Sequence, residues 1–312
     1  MHPKDFFASS RVLIVAGKGG VGKTVTAAAM ATAASRTGRS VLLVEVAGRS
    51  ASAPMFGTDA QGYEQHTAVH EAEGRGSVEL RSITPDQALV EWLSGHGFNR
   101  LVSRMAKSGL LEVVATATPG IKDLLVLGRI KALEQEGVAD LIIVDAPAAG
   151  HALGFLRSPA GVRDTARTGT IHRQAVEALE MISDPSRCQV ILATIPEETP
   201  INELIETSYA IEDEAGVKLG PVVVNGILPD IADLAVPEAH DPTSELHDLQ
   251  TAAAFRLGRQ QLQASQLERL AAELPLAQLR MPQLFGTQIT PHELDTLATT
   301  LLAEIDRLPE PR

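Results

Sequence analysis

The amino-acid sequence predicts an α/β fold: a mostly parallel sheet with helices on both faces and one helical insert. Two observations carry this. The runs RVLIVA, SVLLVEV, VELRSI, DLIIVDAP, QVILAT and PVVVNGI are apolar with little alternation, the pattern of strands buried on both faces. Longer stretches of helical character separate them, and the first strand meets the first helix through the glycine-rich octet GKGGVGKT, residues 17–24. Strand, glycine loop, helix, strand is the order of a right-handed crossover unit, which sets successive strands parallel.

The elements follow in order. After the octet, the alanine-rich stretch from Val25 to Arg36 has high helix propensity, and Thr37-Gly38 supplies a left-handed stop. SVLLVEV and VELRSI are the next strands. From about residue 84 to residue 137 the chain is mainly helical, with DQALVEWLSGHGFNRLVSRMA and IKDLLVLGRIKALEQEG on either side of TATPG. This reads as an insert within a single domain spanning 1–312. The strands DLIIV, QVILAT and PVVVNGI come next, then the acidic, proline-broken DIADLAVPEAHDPTSELHD, an expected exposed excursion before a long helix around FRLGRQQLQASQLERLAAEL.

Composition narrows the function. At 312 residues and 44% hydrophobic, the chain is long and apolar enough to bury a large core. Thirty-nine acidic against 27 basic residues give a formal net charge of −12, which argues against a nonspecific nucleic-acid binder. Cys188 is the only cysteine, so neither an internal disulfide nor a thiolate metal cage can form within one chain. The N-terminal stretch shows no basic leader before an apolar core, and no uninterrupted run of eighteen apolar residues occurs, so neither a secretory signal nor an integral membrane segment is expected. A cytoplasmic location is the expectation.

The octet carries the chemistry. Gly17, Gly19, Gly20 and Gly22 let successive backbone N–H groups turn toward an anion, with Val21 between them and Val25 opening the helix. Lys23 stands where a lysine reaches terminal phosphates, and the Thr24 hydroxyl where it can ligate Mg²⁺, so ATP with Mg²⁺ is the expected ligand. Lys18 is an addition to that pattern. From the start of the loop it is poorly placed to serve its own nucleotide and better placed for one held by a facing subunit, as an arginine finger is. The second lysine therefore implies a dimer that sandwiches two nucleotides.

KGGVGKT, residues 18–24, resembles the K-G-G-x-G-K-[ST] loop of the deviant P-loop ATPases, and the chain is most similar to their arsenical-pump and tail-anchored-protein targeting members. That resemblance implies a function for further segments. VDAPAAGHALGFL corresponds to the family's second conserved loop, making Asp145 the aspartate that holds Mg²⁺ or its water and Gly150 the glycine that senses the γ-phosphate. TPGIKDLL, VVVNG and LRMPQLFG correspond to a turn of the helical subdomain, an adenine-contacting asparagine (Asn225) and an adenine loop that includes Pro282. Asn225 can donate to and accept from an adenine edge at once. For His151, packing is as good a reading as function.

Departures from the family matter equally. One cysteine cannot form the thiol site through which arsenical pumps are stimulated, and the zinc-binding C-x-x-C of the eukaryotic targeting enzymes is absent. After the second strand this chain reads EVAGRS, which puts Ala47 at the family's water-positioning aspartate. Alanine cannot orient water or take its proton. Glu45 is the candidate substitute carboxylate on the same side of the strand, but about 6.6 Å further back, so the switch would have to shift to use it and a strand glutamate without a catalytic role is the competing reading; Arg49 reads as a solvated loop residue. The resemblance thus implies a nucleotide-switched dimer, either a homodimer or a heterodimer with a paralogous ATPase, that handles a client protein. The alternative is a non-hydrolysing regulatory subunit paired with a catalytically complete paralogue. A partition or division-placement ATPase would need a basic DNA face or a basic amphipathic tail, and HELDTLATTLLAEIDRLPEPR is acidic.

Overall fold

The computed structural model describes residues 1–46, 51–59, 67–71, 76–95, 120–147, 149–231 and 245–310. Eight strands form one sheet in the order β3-β4-β2-β5-β1-β6-β7-β8. They are β1 (Val12–Gly17), β2 (Val41–Val46), β3 (Thr67–Glu71), β4 (Ser77–Ile83), β5 (Leu141–Asp145), β6 (Cys188–Thr194), β7 (Val222–Ile227) and β8 (Gln278–Pro282). All neighbours pair in parallel except β3, which runs antiparallel to β4 at one edge. The six strands expected from the sequence form the interior of the sheet, β4 at one end and β7 at the other. The two that the sequence reading missed, β3 and β8, are its edges. On β8 only Leu279 and Met281 are buried while Arg280 is exposed, so its sequence lacks the continuous apolar run of an interior strand.

Helices cover both faces because consecutive strand residues point to opposite sides. Leu13, Val15, Leu43, Ile143 and Val223 pack on one face against α2 (Lys23–Ser35) and against the last helix of the chain, Pro291–Asp306. On the other face, Val12, Ile14, Leu42, Val44, Ile142 and Val190 pack against the remaining long helices. α1 is the short Pro3–Phe6 turn of helix. The others on the second face are α3 (Pro85–Gly95), α4 (Ile121–Glu136), α5 (Ala149–Thr165), α6 (Thr170–Ser183), α7 (Glu198–Ala210) and α8 (Glu245–Glu273). The last helix is α9. It begins with a capping box between Thr290 and Glu293 and buries Leu294, Leu297, Ala298, Leu301 and Ile305.

The alanines of α2 have a packing reason. Every residue from Thr26 to Ser35 is buried, because the helix lies between the sheet and α9, and small side chains let three layers approach closely. The acidic tail is therefore core: α9 contributes its apolar stripe to the fold and has no free apolar face for a membrane. Among the described residues no helix is long and apolar enough to cross a membrane. Within the 84–137 stretch, α3 and α4 pack on each other, and residues 96–119 lie outside the described residues, as does most of the acidic excursion. The long helix expected around 255–274 begins ten residues earlier, at Glu245.

Cys188 opens β6 and is fully buried. Burial pushes its thiol up to about 12, so at neutral pH almost no thiolate exists to attack an electrophile. Alkylation by iodoacetamide is expected only after denaturation. Mass spectrometry of the native and the unfolded chain checks this, and stoichiometric labelling of the native protein would contradict the packing of β6.

Candidate nucleotide-binding site

The glycine octet leaves the sheet at the carboxyl end of β1, a central strand flanked by β5 and β6, where the crevice of a parallel α/β sheet lies. Two glycines are required by geometry. At Gly17 a Cβ would run into the carbonyl oxygen of Ala193 on β6, so only glycine lets the loop start this close to the neighbouring strand. Gly22 caps α2 with φ +89°, in the left-handed region, and a Cβ there would collide with the Asn225 side chain. Asn225 itself donates from Nδ2 to the Val21 carbonyl at 3.0 Å, which ties the end of β7 to the loop. Gly19 and Gly20 face solvent, whereas Val21 is buried in the core below and anchors the loop. Val25 packs partly against the same core.

Lys23 folds back over the loop, donating from Nζ to the Lys18 carbonyl at 3.1 Å. The first turn of α2 carries no acidic residue, so the partial positive charge of its N-terminus and the Lys23 ammonium face the same space. Burial lowers the Lys23 pKa, with the Asp145 charge acting in the opposite direction. Thr24, one residue on, donates from Oγ1 to Asp145 Oδ2 at 2.6 Å.

Asp145 ends β5, and Val15 is its register partner on β1. Its other oxygen, Oδ1, is buried with no hydrogen-bond partner among the described residues. Burial raises the Asp145 pKa, opposed by the Thr24 hydroxyl and by the Lys23 charge. A buried carboxylate oxygen in this state calls for a partner such as a water or a cation. One carboxylate and one hydroxyl, facing an anion-binding loop, form the hard-oxygen donor set that suits Mg²⁺, an ion that keeps waters and takes further ligands from phosphates. Among the described residues no cluster of three or more His, Cys, Asp or Glu could hold a metal without such help.

The other residues singled out in the sequence distribute around this centre. Glu45 on β2 is the register partner of Asp145 and is only 7% exposed. It accepts the Ser52 backbone N–H at 2.7 Å, a partner no sequence signal announced. Burial raises its pKa and the Ser52 N–H opposes this. Lys18 forms an ion pair with Glu203 of α7, also unannounced; both side chains are about 40% exposed. Pro282 ends β8 opposite Ile227, close in the sheet to Asn225. Gly150 falls in the first turn of α5. Ala47 and Arg49 lie outside the described residues, as does the side chain of His151.

A parallel sheet with a glycine loop at a central strand, a lysine and threonine opening the next helix, and an aspartate closing the adjacent strand defines a P-loop protein of the α/β class. Residues 10–171, just over half of the chain, match the family model described as anion-transporting ATPase, and the chain belongs to that family of ATP-binding ATPases. ATPase BagA of Mycobacterium tuberculosis is 34% identical over 228 residues, 70% of this chain and 66% of its own length. ATPase GET3 of Podospora anserina is 33% identical over 162 residues, 48% of this chain and 43% of its own. The chain thus spans 66% of the length of the mycobacterial relative it matches.

Proposed function

We propose that this chain binds MgATP in the 17–25 loop and works as a nucleotide-switched dimer, with slow hydrolysis when it acts alone. The observation that carries the reading is the pairing of Thr24 with Asp145, which leaves one buried carboxylate oxygen beside the loop with no partner among the described residues. Backbone N–H groups of Gly19, Gly20, Val21 and Gly22, with Gly17 and Val25 framing them, would surround the phosphates. Lys23 supplies the charge for the terminal phosphates. Thr24 and Asp145 would hold Mg²⁺, which neutralises charge on the phosphates when bound. Asn225 and Pro282 would border the base, and Gly150 the γ-phosphate. Residues 1–312 then form one ATPase domain, and the helical insert at about 84–137 is the part that nucleotide closure would reshape around a client protein.

Lys18 is assigned to the nucleotide of a second subunit. Its pairing with Glu203 supports such a role, since a half-exposed ion pair is worth only about 0–1 kcal/mol and opens readily when a phosphate of higher charge is offered. A second reading, the regulatory subunit of a heterodimer with a complete paralogue, is favoured by Ala47, which offers no carboxylate to water. Sedimentation with a non-hydrolysable ATP analogue separates the two. Wild type is expected to dimerise with the analogue, and Lys18→Ala to bind it equally well but stay monomeric. A wild-type chain that binds the analogue and remains a monomer overturns the self-sandwich in favour of the heterodimer.

A further inference from the structure

β7 does not run straight to its end. Val224 lies opposite Arg280 and Ile227 opposite Pro282, so Asn225 and Gly226 together face one residue of β8. This is a β-bulge, a device that bends a strand and re-aims its side chains, and Gly226 takes φ +73° within it. A bulge leaves main-chain groups without strand partners. Here one side chain spans the bulge and the strand end beyond it: Gln263 of α8, 6% exposed, donates from Nε2 to the Gly226 carbonyl at 3.1 Å and accepts the Leu228 N–H, just past β7, on Oε1 at 2.9 Å. From the β8 side, Gln283 N–H donates to the Ile227 carbonyl at 2.7 Å, so the residue after Pro282 is fastened to the same bulge.

We propose that Gln263 is a positioning residue that sets the base selectivity of the nucleotide site, by holding the bulge that aims Asn225 and Pro282. This rests on the reading of Asn225 as a base contact. A primary carboxamide presents an acceptor and a donor side by side from one planar group; ionised glutamate lacks the donor, and methionine has no donor and only a weak sulfur acceptor. Asn225 donates one of its two Nδ2 hydrogens to the Val21 carbonyl, which fixes the amide plane and leaves Oδ1 available to a base beside the second N–H. A carbonyl oxygen there accepts from the exocyclic amine of adenine and meets only an acceptor at the corresponding O6 of guanine. That discrimination depends on where the amide points, and the bulge decides where it points.

The test uses the full chain and measures the affinities of MgATP and MgGTP by titration calorimetry, beside the melting temperature of each variant. Gln263→Met keeps volume and removes both hydrogen bonds; Gln263→Glu removes only the donor to Gly226. Each is expected to reduce the ATP:GTP preference about three- to tenfold, the range of one displaced hydrogen bond. Leu270→Ala, which removes buried apolar volume from the same helix, is expected to lower stability and leave the ratio unchanged. If Asn225→Ala shifts the ratio and the folded Gln263 variants do not, the role of Gln263 is overturned while the site reading stands. If Asn225→Ala leaves the ratio unchanged, the base contact falls and this inference with it. Failure of both Gln263 variants to fold where Leu270→Ala folds, or an equal shift in Leu270→Ala, makes Gln263 a stability residue and overturns the proposal.

Discussion

Replacing Lys23 with alanine is expected to abolish measurable MgATP binding. The ammonium is the side-chain cation of the loop that folds back across it, while Lys18 pairs with Glu203 and the rest of the loop offers neutral N–H groups and the Thr24 hydroxyl. Charge-assisted hydrogen bonds contribute roughly 1.5–3 kcal/mol each, so losing two to the terminal phosphates weakens binding on the order of 10²–10⁴-fold. The fold should survive, because among the described residues the Lys23 side chain hydrogen-bonds only to the Lys18 carbonyl at the loop surface. Calorimetric titration of wild type and Lys23→Ala, with matching melting curves, measures the difference. Retention of binding within about tenfold, less than the loss of two such bonds, would show that the phosphates lie elsewhere.

Turnover should respond to residue 47 in the opposite sense. Wild type is expected to hydrolyse ATP slowly although it binds it, since what binds and what reacts are carried by different residues. Placing a general base is typically worth about 10²–10⁴-fold, so Ala47→Asp is expected to raise kcat toward that range with little change in KM. Glu45→Gln is the companion variant. Glutamine can still accept the Ser52 N–H that Glu45 accepts now, so the substitution removes the charge and leaves that contact in place. If Glu45 is the substitute base, residual activity disappears; if it only holds the backbone at Ser52, activity is unchanged. Steady-state phosphate release decides. A wild-type chain with brisk turnover that Glu45→Gln does not alter would refute the reading of this segment.

Much of the fold was legible because its signals are local. The six interior strands announce themselves as continuous apolar runs, and the loop as a dense spacing of Gly, Lys and Thr between a strand and a helix. The position of Asp145 at the end of β5 was legible from its strand, and its proposed role from the motif that follows it. The edge strands β3 and β8 were not legible, since a strand covered on fewer sides has no need of a continuous apolar code.

The sequence by itself determined the class of the fold and the loop proposed to bind phosphate, because a nucleotide loop is a short contiguous segment whose chemistry follows from residue order. Only the tertiary structure decided how that loop is held and what restrains its charged groups. Asn225 lies 204 positions from Val21, Lys18 lies 185 from Glu203, and Gln263 lies 37 from Gly226. Each pair meets because parallel strands gather their carboxyl ends at one edge and helices return over them; the first two pairs join separate crossovers, and the third joins a strand to the helix that follows it. No periodicity or motif encodes such a meeting. A hydrogen bond between distant residues is fixed by the register of the sheet and by the bulge in β7, and those exist only once the chain has packed.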